Sequence, residues 1–360
     1  MIFKIFLVWR LALFIITYIG SKIHPLVQNG GIGAVAPGKS FDFFASWAQW
    51  DGGHFYNIAK YGYFAPNEFA FFPMYPGLIK LVSYLTLGNT LLAGFLISNI
   101  SFLAFLYVFY NLAAKIQNKN VALAATLTLI FFPTAFFTVA FYSESLFLLA
   151  AILFFTHIQN KKYLLSAFFV GAASLTRFIG ITLSISLILE LVKNFKWDLK
   201  QIASKITIIT ISFVPLTLYC LYLFQRFKDP VYFLTVESTW HRHLTNPLAT
   251  IFAYLTTFQV NMPFNDYLDV LLTIFFAIIL IVGRKKIPAA LWIFSALAIL
   301  IPASTGTLTS MPRYLLASLG TFIILGAYLA PYRVRYLIWG VSLVSQIALA
   351  IMFVNGFWVA

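Results

Sequence analysis

The sequence predicts an all-α polytopic membrane protein, and its composition, its apolar runs and the placement of its charges carry that prediction. Of its 360 residues, 61% are hydrophobic and only 9% are charged. A soluble protein of this length could not bury so much apolar surface. Because lipid offers the backbone no hydrogen-bond partners, the segments that cross the bilayer must be helices.

The formal net charge of +14 does not indicate a nucleic-acid-binding protein. The lysines and arginines are scattered in short loops between apolar runs, as in the cytoplasmic loops of membrane proteins. We therefore expect the bilayer, and no nucleic acid, as a partner. The single cysteine, Cys220, lies within an apolar run, so the chain cannot form an internal disulfide.

Apolar runs of suitable length predict about 11 spans. The first is expected to be a retained span, because no small-residue cleavage site follows it. The run 163–192 is too long for one crossing and is predicted to be two short helices that meet near Arg177. The segment 74–88 is either a span or an interfacial helix. The other spans are predicted at about 2–20, 90–114, 121–140, 144–159, 204–224, 266–283, 287–303, 312–330 and 335–355.

Placing the Lys-rich clusters in the cytoplasm gives a consistent alternation of the spans within one domain, 1–360. These clusters lie at 115–119, 161–162, 193–205, 283–286 and 333–335. The first long loop, 21–73, and a second, 225–265, then face the other side. Seven of the ten acidic residues fall on or near that side. We therefore expect the chemistry outside the cytoplasm, where nucleotide sugars are not available.

A phosphate-binding pattern at 33–40, Gly-Ala-Val-Ala-Pro-Gly-Lys-Ser, matches that of nucleotide-binding loops letter for letter. The pattern binds phosphate only between a buried strand and a helix. Here it follows an Asn-Gly-Gly turn in an outer loop. We interpret it as a Gly/Pro loop that can act as a lid beside a site.

Asp51 stands at the start of a polar, aromatic segment just after the first span. It is either a helix N-cap or a general base that takes the proton of a sugar hydroxyl, and spacing alone leaves both open. On a helix, Asp51, His54 and Ile58 would share one face. That polar start would face a cavity, while aromatic side chains anchor the helix at the interface.

Several motifs resemble the GPI mannosyltransferase II family of membrane-embedded C-type (GT-C) glycosyltransferases. The most specific block begins at Trp50-Asp51 and His54-Phe55 and ends at Phe71-Phe72-Pro73-Met74-Tyr75-Pro76. Three shorter motifs are similar to later ones of the family: Tyr142-Ser143-Glu144-Ser145, Leu175-Thr176-Arg177 and Met311-Pro312-Arg313-Tyr314. The resemblance implies a GT-C-like bundle whose first outer loop carries interfacial helices. The chain is shorter than eukaryotic members, which indicates a prokaryotic relative.

The resemblance implies an inverting transfer of mannose from a polyprenyl-phosphate-mannose donor to a lipid-linked or glycan acceptor. It makes Asp51 the base. The substrate-binding residues that we expect are His54, Lys60, Glu144, Arg177, Arg242, Arg313 and Tyr314.

Alternatives stay open for the charged residues among these. Arg177 either clamps the donor phosphate or is a structural partner of Glu144. Arg313 either contacts substrate or extends to the interface. Two histidines at i and i+2, His241 and His243, face opposite ways on a helix, so we expect no metal site. No cofactor is expected, because phosphate is already a good leaving group.

The alternative function is a polytopic transporter or flippase. Transporters typically carry internal repeats, and the sequence shows none. We expect a multi-pass protein of the cell membrane in a prokaryote, or of the endoplasmic reticulum in a eukaryote.

Overall fold

The structure is a computed structural model that describes residues 1–23, 42–193, 198–256 and 263–359. Within those ranges the chain forms helices and connecting turns and no strands. The phosphate-binding pattern at 33–40 lies outside the described residues. The all-α prediction is confirmed for the part of the chain that is described.

Sixteen α-helices follow one another in the described ranges. They are α1 (Ile2–Ile23), α2 (Asp51–Tyr61), α3 (Met74–Leu85), α4 (Thr90–Ile116), α5 (Lys119–Ile130), α6 (Glu144–Gln159), α7 (Tyr163–Ser174), α8 (Leu183–Val192), α9 (Leu199–Phe227), α10 (Tyr232–Ser238), α11 (Pro247–Thr256), α12 (Phe264–Val282), α13 (Ala289–Ala303), α14 (Met311–Leu315), α15 (Leu319–Leu329) and α16 (Arg335–Val354). Short 3-10 helices lie at Ala45–Ala48, Pro66–Ala70, Ala135–Thr138, Phe178–Thr182 and Arg284–Lys286.

Five of these helices are long and apolar enough to cross a membrane: α1, α4, α9, α12 and α16. Each has at least 18 residues, which approaches the thickness of the hydrocarbon core at 1.5 Å of rise per residue. Seven shorter apolar segments pack among them. The protein is therefore an integral membrane protein, and the predicted count of about 11 spans stays a prediction.

The helices pack around a core of fully buried aromatic and aliphatic side chains. Helices α4, α5, α6, α7 and α15 supply its centre, with α5 against α15 and α6 against both α4 and α7. Phe102, Phe105 and Phe109 stack along one side of α4, with successive ring centroids 5.9 and 5.5 Å apart. Many of the phenylalanines are thus core material.

Several predicted boundaries are correct, and others need physical corrections. The run 163–192 is divided near Arg177 as expected, into α7, a 3-10 turn and α8. The predicted span 121–140 ends at Ile130, because Pro133 disfavours helical backbone in the residue before it. The predicted span 312–330 is broken between α14 and α15, where the Ser318 hydroxyl donates to the Ser295 carbonyl (3.1 Å). The second loop also contains two helices, α10 and α11.

Three of the Lys-rich clusters meet at one end of the bundle. Lys115, Lys285 and Lys286 line one surface pocket. The Lys115 ammonium also donates to Asn160 Oδ1 (3.1 Å), next to Lys161 in the sequence. Helix α6 begins at Glu144 and ends next to Asn160, so Glu144 lies at the end of the bundle opposite these lysines. The acidic start of α6 and the basic clusters are therefore separated along the bundle, as the charge pattern predicts.

Candidate active site

One large cavity of about 680 Å³ opens at the acidic end of the bundle. This volume is within the usual range of ligand-binding pockets, roughly 300 to 1,000 Å³. Six of the residues predicted from the sequence line it: Asp51, Glu144, Arg177, Arg242, Arg313 and Tyr314. They come from both outer loops and from the ends of several helices, so the fold brings together what the sequence separates.

Asp51 is held at the first turn of α2 by its backbone surroundings. The Tyr142 hydroxyl donates to the Gln49 carbonyl (2.9 Å), just before the aspartate. A side chain at Gly52 would approach the Phe141 carbonyl oxygen to 3.0 Å, so glycine allows the close contact of α2 with that loop. The Asp51 carboxylate is 26% exposed. It is therefore fixed in place and still reaches the cavity.

A chain of ion pairs joins Asp51 to Arg177. The guanidinium of Arg313 lies 2.7 Å from Asp51 Oδ2 and 3.4 Å from Glu144 Oε1. The same oxygen of Glu144 accepts a hydrogen bond from Arg177 Nη1. Glu144 stands in the first turn of α6, where the helix dipole favours a negative charge. The structural alternative for Arg177, a partner for Glu144, is thus observed, and it leaves the other N–H groups of Arg177 for a ligand.

Three guanidinium groups surround the ring of Tyr314. The Cζ atoms of Arg177, Arg242 and Arg313 lie 5.3, 5.4 and 5.4 Å from the ring centroid. Each is within the distance at which a cation is attracted to the π-face of an aromatic ring. Tyr314 therefore gathers three guanidinium groups on one wall of the cavity, and each of them is also paired with a carboxylate.

The three arginines are bonded to different extents. Arg313 is almost completely buried, at 5% exposed, between Asp51 and Glu144. The Nη1 and Nη2 atoms of Arg242 donate to Thr305 Oγ1 (3.2 Å) and to the Thr309 carbonyl (3.1 Å). Arg177 is 19% exposed, more than either of the others. Arg177 is therefore the arginine best placed to bind a ligand directly.

Backbone strain accompanies these residues. Six non-glycine residues of the described chain have positive φ angles, a conformation that costs about 1–3 kcal/mol each. Three of them come shortly before a charged residue of the cavity: Trp50 (54°) before Asp51, His241 (59°) before Arg242 and Ser310 (70°) before Arg313. The fold holds these strained turns in place, which is typical of functional sites.

A glycine fixes the turn that presents Arg177. A Cβ atom at Gly180 would lie 2.3 Å from the backbone carbonyl carbon of Ala173. No side chain fits at that distance, so the 3-10 turn folds back closely on the end of α7. The Met74 backbone N–H also donates to the Leu175 carbonyl (2.9 Å). This bond ties the same turn to the end of the first outer loop.

Two acidic residues belong to this region although the sequence did not single them out. Glu237, on α10, lines the cavity and pairs with Arg242, its Oε2 lying 3.3 Å from Arg242 Nε. Asp269, buried on α12, accepts the Met311 N–H (3.1 Å) at the start of α14, the helix that carries Arg313. Its position inside the predicted span 266–283 is the signal that could have identified Asp269, because a carboxylate within a span needs a partner or a wet cavity.

Two predicted substrate-binding residues of α2 do not line the cavity. His54 is buried, and its imidazole stacks on Phe71 with ring centroids 4.7 Å apart. Lys60 is exposed, and its ammonium donates to the Tyr56 hydroxyl (3.2 Å). Asp51 and His54 do not share a cavity-facing side, because the polar start of α2 turns only Asp51 and Phe55 to the cavity.

The position of Lys60 leads to a prediction. We expect Lys60→Gln to retain transfer activity to within about two-fold, because Lys60 does not line the cavity and a surface substitution usually changes the free energy of unfolding by less than about 0.5 kcal/mol. Initial rates with saturating donor measure this. A loss of ten-fold or more would mean that substrate reaches Lys60 outside the cavity.

A second prediction concerns His54 and pH. Burial lowers the pKa of His54 below its usual 6.5, although the carboxylates of Asp51 and Glu68 oppose the shift. As pH falls below 6.5, the unfolded chain takes up a proton that the folded chain excludes, so the free energy of unfolding decreases. We expect His54→Phe, which keeps an aromatic ring against Phe71, to show a smaller drop in Tm between pH 7 and pH 5.5 than the native chain. Equal drops would contradict this.

No metal cluster is apparent in the described ranges. Among those residues, no group of three or more His, Cys, Asp or Glu side chains is placed to hold a metal ion. His243 lines the cavity, where its Nδ1 lies 3.3 Å from the His241 carbonyl oxygen. The expectation that transfer needs neither metal nor cofactor stays a prediction.

Comparison with known proteins decides the family. The family described as "Mannosyltransferase (PIG-V)" matches residues 32–320, most of the chain. The chain belongs to the PIG-V mannosyltransferase family. The resemblance carried by the Trp50–Pro76 block and the shorter motifs is thereby confirmed. Asp51, Glu144, Arg177, Arg242 and Arg313 all lie within the part of the chain that matches the PIG-V family.

A solved structure shares the fold of this PIG-V family member. It is ArnT from Cupriavidus metallidurans bound to undecaprenyl phosphate, with a TM-score of 0.53 and 14% sequence identity. The match covers 96% of this chain and 63% of ArnT, so the chain spans less than two thirds of the length of that protein. No curated protein matches the chain. The similarity supports the expected GT-C-like helical bundle.

Proposed function

We propose that the protein is an inverting glycosyltransferase that transfers mannose from a polyprenyl-phosphate-mannose donor to a lipid-linked or glycan acceptor. The observation that carries the proposal is a single cavity that joins Asp51, a candidate base, to Arg177 and Arg313, candidate phosphate ligands. Membership of the PIG-V family supports the choice of mannose. We place the reaction on the non-cytoplasmic side of a bundle with about 11 crossings.

The lining of the cavity matches a donor that is half lipid and half charged sugar phosphate. Charged groups occupy the Tyr314 wall, while the rest of the lining is largely apolar and includes Phe147, Leu148, Ile179 and Ile301. A polyprenyl chain would lie against the apolar side chains, and its phosphate would meet Arg177. The undecaprenyl phosphate of the ArnT structure is a lipid of this class bound to a similar fold.

The reaction exchanges one bond for another at the anomeric carbon of mannose. The acceptor hydroxyl attacks that carbon from the side opposite the phosphate. The carbon–oxygen bond to phosphate breaks, and its electron pair leaves with the lipid phosphate. The hydroxyl proton passes to the carboxylate of Asp51, which must lie within hydrogen-bond reach of the attacking oxygen. A β-linked donor thus gives an α-linked product.

The arginines stabilise charge that develops as the phosphate leaves. Arg177 offers N–H groups beyond the one that it gives to Glu144. Groups that are already oriented in a site sheltered from water stabilise such charge without reorganising during the reaction. Arg313 lines the same cavity between Asp51 and Glu144, and its ion pairs orient both carboxylates. Glu144 in turn fixes the position of both arginines.

A transfer assay tests the proposal and separates it from a transporter or flippase. The purified protein would be incubated with polyprenyl-phosphate-[³H]mannose and with membranes from source cells that lack its gene, in which the acceptor has accumulated. We expect label in a glycosidic product that α-mannosidase releases. Label that crosses a vesicle bilayer without forming any glycosidic bond would contradict a transferase and favour the flippase. The product that carries the label would also identify the acceptor and the type of membrane.

A further inference from the structure

Glu237 is a carboxylate of the cavity that the steps above do not use. It lies on α10 in the second outer loop, and its side chain is 36% exposed. The other carboxylates of the cavity, Asp51 and Glu144, are tied to Arg313, whereas Glu237 pairs with Arg242.

Arg242 is positioned to hold Glu237 rather than to bind a phosphate. Its Nη1 and Nη2 atoms are bonded to Thr305 and to the Thr309 carbonyl. Its Nε lies 3.3 Å from Glu237 Oε2, and its guanidinium faces the ring of Tyr314. These contacts fasten the second outer loop to the turn before α14. They fix the direction of the Glu237 carboxylate and leave Arg242 few donors for a ligand.

The charges along this wall divide the cavity into two regions. A phosphate is attracted by Arg177, the most exposed of the three arginines, and repelled by Glu237. An ionised carboxylate only accepts hydrogen bonds, so it attracts uncharged hydrogen-bond donors such as the hydroxyls of a sugar. Hydrogen bonds with an ionised partner are about twice as strong as neutral ones. The region beside Glu237 therefore suits the sugar, and the region beside Arg177 suits the phosphate.

The two regions are close enough for one donor molecule to reach both. Arg177 and Arg242 lie 5.3 and 5.4 Å from the same ring centroid of Tyr314, so they are no further apart than the sum of these distances. In a sugar phosphate, the sugar ring is joined directly to the phosphate. A sugar whose phosphate is bound at Arg177 would therefore lie near Tyr314, on the side where Arg242 holds the Glu237 carboxylate.

We propose that Glu237 is a sugar-binding residue that accepts hydrogen bonds from hydroxyls of the transferred hexose and so selects which sugar the enzyme takes. The inference rests on the proposed function, because it needs a donor with sugar and phosphate in one molecule. It assigns recognition of the sugar to the second outer loop, and proton abstraction to the first.

Binding measurements test this without knowledge of the acceptor. The dissociation constant of the purified protein in detergent would be measured for polyprenyl phosphate and for polyprenyl-phosphate-mannose. The dissociation constant for polyprenyl phosphate, divided by that for polyprenyl-phosphate-mannose, reports how much the sugar contributes to binding. We expect Glu237→Ala to reduce that ratio by about ten-fold or more, the value of a hydrogen bond to a charged group. We expect Glu237→Gln, which keeps one acceptor oxygen, to fall between the native chain and Glu237→Ala.

Binding of polyprenyl phosphate alone should be unchanged or tighter in both variants, because a repelling carboxylate has been removed. Asp229→Asn is the matched control. Asp229 accepts the Val231 N–H (2.9 Å) at the start of the same loop and does not line the cavity, so its ratio should match that of the native chain. A native ratio in both Glu237 variants would overturn the inference. A native protein that binds neither lipid would instead contradict the proposed function.

Discussion

Asp51→Asn is expected to abolish sugar transfer and to leave the fold intact. Asparagine has the same size and keeps an oxygen that can face Arg313, 2.7 Å from the native carboxylate. It cannot accept the acceptor's proton, and loss of a general base typically costs about 10²- to 10⁴-fold in rate. We therefore expect transfer to fall by roughly a thousand-fold, measured as initial rates of labelled product, with a native-like elution profile and Tm.

Asp42→Asn is the matched control for this variant. Asp42 belongs to the same outer loop, where its carboxylate accepts the Phe44 N–H (2.8 Å), and it does not line the cavity. Its transfer rate should stay close to the native rate. If Asp51→Asn transfers mannose at the native rate, Asp51 is not the base, and another carboxylate of the cavity must take that role.

Arg313→Gln is expected to reduce stability and transfer together. It leaves Asp51 without its cation and removes one of the two cations of Glu144. Breaking a buried ion pair by removing one partner costs about 3–5 kcal/mol, because an uncompensated charge remains. We expect Tm in detergent to fall by roughly 5 °C. Transfer should fall by at least about 100-fold, because Asp51 and Glu144 lose the group that orients them.

A double variant separates the two effects. Arg313→Gln alone leaves the Asp51 carboxylate without its cation. Combining it with Asp51→Asn removes that negative charge, so we expect the double variant to recover part of the lost Tm. It should remain inactive, because the base is absent. Non-additive stabilities are the signature of residues in direct contact. If the double variant loses as much Tm as Arg313→Gln alone, the Asp51–Arg313 ion pair does not contribute to stability.

Much of the fold class follows from properties that lie along the chain. The apolar runs, the scattered lysines and the polar loops predict a helical membrane protein, because each span must satisfy its own backbone and each charge must stay near water. The break near Arg177 was also predictable, since a charge in a long apolar run needs a partner or a wet cavity. The ends of the helices were harder to predict, as the early stop before Pro133 illustrates.

The candidate site was predictable as residue types and only partly as an arrangement. The Trp-Asp block and the shorter motifs gave Asp51, Glu144, Arg177, Arg313 and Tyr314, and the structure places all five on one cavity. Helical spacing alone placed His54 beside Asp51 at the cavity. Packing overrides that expectation, because the imidazole of His54 stacks on the ring of Phe71 inside the protein. Lys60 points to tyrosines at the surface.

The sequence by itself determined the kind of protein, its family and the chemical groups available to it. Only the tertiary structure decided which groups meet: Arg313 between Asp51 and Glu144, three guanidiniums around Tyr314, Glu237 fastened by Arg242, and Asp269 under the start of α14. The physical reason is that these contacts join residues far apart in the chain. Their positions depend on how helices pack, and neither hydropathy nor local spacing encodes that packing.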